Sequence, residues 1–176
     1  MLFIFYIYLY MKKIVIKGKR NIDGFKETKE RKHNWNYPKE VLDEKKQVNL
    51  LNQIYLDQDF KGKMDIKREL HKKINAYKQQ DKKRNIYEED KLITYLECLE
   101  SLVLSKLNCY YCRCDMLLMY LDKRKENQWT LDRLDNNVGH HKNNVVICCL
   151  KCNLKKRRMD DEKFKFTKQM RIIKGF

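Results

Sequence analysis

Apolar side chains recur every three or four residues through three stretches of the first two thirds of this chain. In VLDEKKQVNLLNQIYLDQDF, Val48, Leu51 and Tyr55 fall on one stripe, the pattern of a helix with a single buried face. In DIKRELHKKINAYKQQDKKR the stripe is Ile66, Leu70, Ile74 and Tyr77. Asp65 is its expected N-cap, and lysines cover the other faces. A third helix is predicted from about Glu88 to Leu107, with Leu92, Leu96, Leu99 and Val103 on one stripe. Cys98 beside that stripe is expected as a small buried hydrophobe. His33 and His71 have no partner spacing around them, so surface or helix-packing roles are expected. Only Pro38 and five glycines interrupt the chain, which permits long helices.

Beyond Leu107 the period shortens. WTLDRLD alternates as a strand, NNVGHHKNN is rich in turn formers, and VVICC alternates back, so the three pieces predict a hairpin. CNLKKRRMDDEKFKF then opens a helix. The expected class is α+β, a helical N-terminal half followed by a small module of two strands and a helix. Residues 1–40 read as a strand or arm and linker, 41–107 as the helical region, 108–160 as the module and 161–176 as a basic tail. The apolar opening LFIFYIYLY either forms a strand running into IVIKG or precedes the true start at Met11. Its lysines lie on the wrong side for a secretory signal, and it is shorter than the roughly 20 residues of a membrane span. No membrane partner is expected.

Charge changes the picture. The net charge is +16, which makes a polyanion, nucleic acid first, the natural partner; a merely solubilising surface is the alternative. With 43% hydrophobic residues the chain can bury a core despite a mean hydropathy of −0.80, so it is not a disordered tail. Seven cysteines, an odd number without an export signal, fit metal ligation in a reducing intracellular compartment better than a disulfide framework. The nucleus or a viral replication site is the expected location.

The cysteines pair by spacing. Cys109 and Cys112 form one Cys-x-x-Cys knuckle and Cys149 and Cys152 another, with 36 residues between them. Four thiolates complete a tetrahedral Zn²⁺ and leave no position for substrate, so this zinc is a structural staple. Cys114 breaks the two-residue gap, and Cys148 should point away from Cys149 in a strand.

Taken together, the pattern C-x-x-C, LDRLD, GH, NN and C-x-x-CN followed by lysine resembles the HNH endonucleases of the ββα-metal fold, in the four-cysteine zinc-binding subgroup found in nucleases of large DNA viruses and phages. The resemblance covers about Leu107 to Arg158. It implies a DNA endonuclease using catalytic Mg²⁺ or Mn²⁺, with Asp132 as carboxylate ligand, Asn153 as helix ligand and Asn144 as the residue that orients the histidine. Both ligands offer the hard oxygens such cations prefer. Many members read Asp-His where this chain reads Asp132-Arg133, and arginine cannot act as a base. His140 is therefore the expected general base and His141 the reserve, while Arg133 could bind phosphate. Asp135 is expected as a solvated turn acid.

Downstream of Asn153 the chain carries nine basic residues and three acids. Lys155, Lys156, Arg157 and Arg158, at a helix start with outward amides, are the expected phosphate contacts. The alternatives are a zinc-binding DNA module without catalysis, which Arg133 makes credible, and an interaction protein built on the helical half.

Overall fold

The computed structural model describes residues 15, 17–19, 31–33 and 37–170. The chain divides into two units, Met1–Glu30 and Arg31–Phe176, and the description below concerns the second. The expected N-terminal strand, the alternative start at Met11 and most of the 20–40 arm lie outside the described residues. The chain is α+β. Helices α1 (Lys39–Leu42), α2 (Gln47–Tyr55), α3 (Lys63–Lys83) and α4 (Tyr95–Ser105) precede strands β1 (Trp129–Arg133) and β2 (Val145–Cys149), and α5 (Leu150–Lys156) and α6 (Asp161–Gln169) follow. No helix among the described residues is long and apolar enough to cross a membrane.

Helix α3 buries Ile66, Leu70, Ile74 and Tyr77 as their spacing requires, and adds Asp81 one turn on. Its N-cap is Gly62, not Asp65; Asp65 sits in the first turn and pairs with Arg68 at 2.7 Å. Gly62 is left-handed at φ 97°, a conformation that favours glycine.

Two stripes are rotated from their expected faces. In α2 the buried residues are Gln47, Leu50, Leu51 and Ile54, whereas Val48 and Tyr55 are exposed. Gln47 explains the rotation: its amide donates to Met119 O at 2.8 Å and accepts from Leu118 N at 2.6 Å. A polar side chain that satisfies backbone in the core can face inward, and apolar spacing cannot reveal it. Helix α4 starts at Tyr95, not Glu88, because Thr94 and Glu97 form a reciprocal capping box that satisfies its first amides. Its buried face is Cys98, Leu99 and Leu102, which leaves Leu96 exposed. Cys98 is the buried small residue its position implied.

The hairpin pairs antiparallel, with Leu131 opposite Ile147 and Trp129 opposite Cys149. Trp129, Leu131 and Ile147 join the helical side chains in one hydrophobic core. The segment 31–33 docks on the approach to β1, with Lys123 N donating to Arg31 O and His33 N to Leu121 O. Helix α5 leaves β2 without a loop. The segment expected as a basic tail contains a further helix, α6, capped by Asp160 and anchored by buried Phe164 against Tyr111.

Candidate metal centre and cleft

The four sulfurs of Cys109, Cys112, Cys149 and Cys152 all lie within 4.8 Å of one another, and those of Cys112 and Cys149 are 3.8 Å apart. Tetrahedral zinc with Zn–S near 2.3 Å places its sulfurs about 3.8 Å apart, so the cluster could hold such an ion. Backbone supports the sulfurs. Cys149 N donates to Cys109 Sγ at 3.3 Å and Cys152 N to Cys149 Sγ at 3.4 Å. A hydrogen bond from Cys149, aided by backbone amides of Cys112, Cys149 and Tyr111, holds Cys109 down to about 4 against its burial, the direction that readies a thiolate ligand. Tyr110 N, bonded to Ile147 O, ties the first knuckle to the hairpin. Cys148 points to the opposite side of β2, where it meets Thr130 Oγ1 at 3.4 Å. Cys114 neighbours the cluster, its thiol pushed up to about 12 by burial and by Cys112. Among the described residues this is the one group of three or more histidine, cysteine or acidic side chains close enough to hold an ion.

Beside the hairpin lies a cleft of about 790 Å³ whose walls are α3, β1 and α5. Asp132, His140 and Asn153 all line it. His140 is buried, and its ring is held by a residue with no counterpart in the sequence reading. Its Nδ1 lies 2.7 Å from Asp81 Oδ1, while its backbone amide donates to Asp81 Oδ2, also at 2.7 Å. Tyr77 packs on the ring with centroids 4.6 Å apart. Burial lowers the His140 pKa from its ordinary value, and Asp81 opposes that shift. The neutral imidazole is therefore favoured near pH 7, with Nδ1–H donating to Asp81 and Nε2 left as acceptor.

Asp132 is also buried. Its Oδ2 accepts from the Tyr111 hydroxyl at 2.7 Å and pairs with Lys156 Nζ at 3.0 Å; Oδ1 is the oxygen left over. Asn153 donates through Nδ2 to Thr130 Oγ1 and Leu131 O, both at 3.1 Å, which leaves its carbonyl oxygen unspent. The two oxygens are hard donors of the type Mg²⁺ or Mn²⁺ prefers.

No model of a protein family, no curated protein and no solved structure matches this chain.

The remaining expected residues fall in different places. The Asn144 side chain makes no hydrogen bond to the His140 ring among the described residues. Its amide accepts from Asp135 N and donates to Asp135 O, Val138 O and Gly139 O, so it fixes the loop that delivers His140. His141 faces away from the cleft, with Nε2 3.7 Å from Glu88. Asp135 caps Asn137 N in an exposed turn. Arg133 is not an open phosphate contact: it is buried, donates to Asn136 O and Val138 O, and approaches Asp81 at 3.9 Å.

Lys156 departs furthest from expectation. It is 1% exposed and donates to Arg133 O at 2.6 Å, so it braces β1 and cannot grip a ligand. Lys155, Arg157 and Arg158 are exposed. The amides at the start of α5 are not outward phosphate donors either, because Leu150 N, Lys151 N and Cys152 N bond to Gln128 O, Glu126 O and Cys149 Sγ. Asp81, Tyr77 and Tyr111 were missed. Only Asp81 left a signal, as an acid on the apolar stripe one turn beyond Tyr77.

Proposed function

We propose that this protein is a divalent-cation-dependent HNH-type endonuclease that hydrolyses phosphodiester bonds in DNA, with residues 108–160 as its nuclease module and zinc in the four-cysteine cluster. The observation that carries this reading is the His140–Asp81 pair, facing a cleft that Asp132 and Asn153 also line.

Asp81 holds the Nδ1–H tautomer, so His140 Nε2 takes the proton of an attacking water. Asp132 Oδ1 and the Asn153 carbonyl oxygen would hold Mg²⁺ or Mn²⁺, which when bound would supply Lewis-acid stabilisation of charge on the phosphate. Arg84 and Arg157, which both line the cleft, add fixed positive charge near the bound phosphodiester. Asn144 acts by position, keeping the loop from Asp135 to Gly139 in shape. The same reading requires that zinc hold the hairpin and α5 without chemistry of its own.

A second reading has one observation in its favour. Lys156 already compensates the Asp132 carboxylate at 3.0 Å, which weakens its pull on a cation, as in a zinc-binding DNA module without catalysis.

Plasmid cleavage with Mg²⁺ or Mn²⁺ separates the two. Wild type should nick or cut, and His140→Ala should lose on the order of 10²–10⁴ in rate with zinc content and circular dichroism unchanged. Full cutting by His140→Ala removes the base assignment. Salt-dependent DNA binding without cutting by wild type establishes the second reading.

A further inference from the structure

We infer that the DNA strand bound in the cleft continues over α5 into a second, basic trough, where Lys123 and Arg124 take its neighbouring phosphates. This rests on the nuclease reading for the identity of the polyanion, and it adds a binding subsite built from the 123–128 segment and α5.

The trough measures about 560 Å³, and Gln128, Leu150 and Leu154 line both it and the cleft. The two spaces are therefore adjacent, with α5 side chains between them. Four basic residues line the trough against one acid, Glu126. That acid is already paired with Lys151 at 2.6 Å, just as Asp132 in the cleft is paired with Lys156. Lys123, Arg124 and Lys155 make no salt bridge among the described residues, and all three are exposed. Positive charge is thus left over in the trough, while Arg84 and Arg157 supply it in the cleft. Lys73 adds little, because burial pushes its ammonium down to about 7 and it is bonded to Trp129 O.

The ground between the two basic zones is apolar. Leu154, 64% exposed, stands on α5 where both spaces meet. Cations on either side of an exposed leucine suit a chain that alternates charged phosphate with less polar sugar and base. An acidic peptide or a single phosphate group would leave that leucine uncovered.

The shelf is also preorganised. Buried Gln128 donates from its side chain to Lys123 O at 3.0 Å and from its backbone to Lys125 O, and its own carbonyl receives Leu150 N. Lys123 N is held by Arg31 O. Binding there needs little ordering of the backbone.

The test is fluorescence anisotropy of a labelled 16-nucleotide single-stranded DNA on the full chain without added Mg²⁺ or Mn²⁺, from 50 to 300 mM salt. Lys123→Ala/Arg124→Ala should reduce the slope of log K against log salt by about 1.4, two phosphates' worth for a single strand. Leu154→Ala should weaken binding several-fold at unchanged slope. Wild-type slope and affinity in the double variant overturn the inference, as does displacement of the DNA by poly-glutamate of equal charge at equal concentration. Cutting is scored separately with Mg²⁺. A reduced slope in a protein that never cuts sinks the nuclease reading and keeps the trough; a cutting protein with unchanged slope does the reverse.

Discussion

Asp81 carries more of the candidate site than any residue the sequence singled out. Its two oxygens bind the His140 ring and amide at once, which fixes tautomer and direction together. Asp81→Asn keeps the shape but removes the charge and the hydrogen bond's preferred polarity, so cutting should fall on the order of 10²–10⁴-fold. The pH profile gives an independent readout. As the proposed base His140 would work only when neutral, and burial already lowers its pKa, so activity should hold through neutral pH and fall at a pH below the ordinary histidine range. Asp81 raises that pKa, so any residual activity of Asp81→Asn should fail at still lower pH; an acid limb that stays put contradicts the assignment. Lys156 is the second residue with a measurable role. Lys156→Met leaves the buried Asp132 carboxylate without its ion and should cost about 3–5 kcal/mol of stability, read by chemical denaturation. Adding Asp132→Asn should recover part of that loss. Cys109, Cys112, Cys149 and Cys152 were legible from spacing alone because thiolate geometry imposes it. Asp81 was not, because it lies 59 residues from His140 and no local pattern links them.

At the scale of elements, periodicity located α3 and the hairpin through apolar positions such as Ile66, Leu70, Leu131 and Ile147, and misplaced the faces of α2 and α4. The reasons are polar: Gln47 turns α2 inward through backbone hydrogen bonds, and the Thr94–Glu97 box sets where α4 begins. The Gly139–His140 step is an element of this kind. A Cβ at Gly139 would meet Ile86 O at 2.7 Å and Asp81 Oδ2 at 3.0 Å, one a backbone atom and the other a buried carboxylate, and neither can yield cheaply. Gly139→Ala should therefore cost about 1–3 kcal/mol and displace His140, seen as a lower melting temperature and lost protection of the His140 amide in hydrogen exchange. The cysteine cluster brings the knuckle that follows α4 to the end of β2 and the start of α5. Chelation should lower the melting temperature by about ten degrees or more, if zinc contributes as little as about 4 kcal/mol to a chain this size. An apo protein that melts with the holo protein contradicts the staple.

For the whole molecule, residues 31–176 behave as one unit, and the core runs from α2 and α3 into β1 and β2. The change of texture near Leu107 was visible in the sequence, but the packing across it was not, since it depends on long-range contacts such as Tyr77 OH accepting Leu131 N at 3.0 Å. Excising residues 108–170 would remove Asp81 and Tyr77 and expose Trp129 and Leu131. Such a fragment, even loaded with zinc, should show no cutting and should bind hydrophobic dyes, whereas cutting by the fragment would place the whole site within it. The spacing of Asp81 and His140 also sets an order of events during synthesis. The carboxylate leaves the ribosome first and can settle into its helix before the imbedding loop exists. A chain that ends before His140 carries Asp81 but no imidazole, and on the nuclease reading it would have no base to activate water.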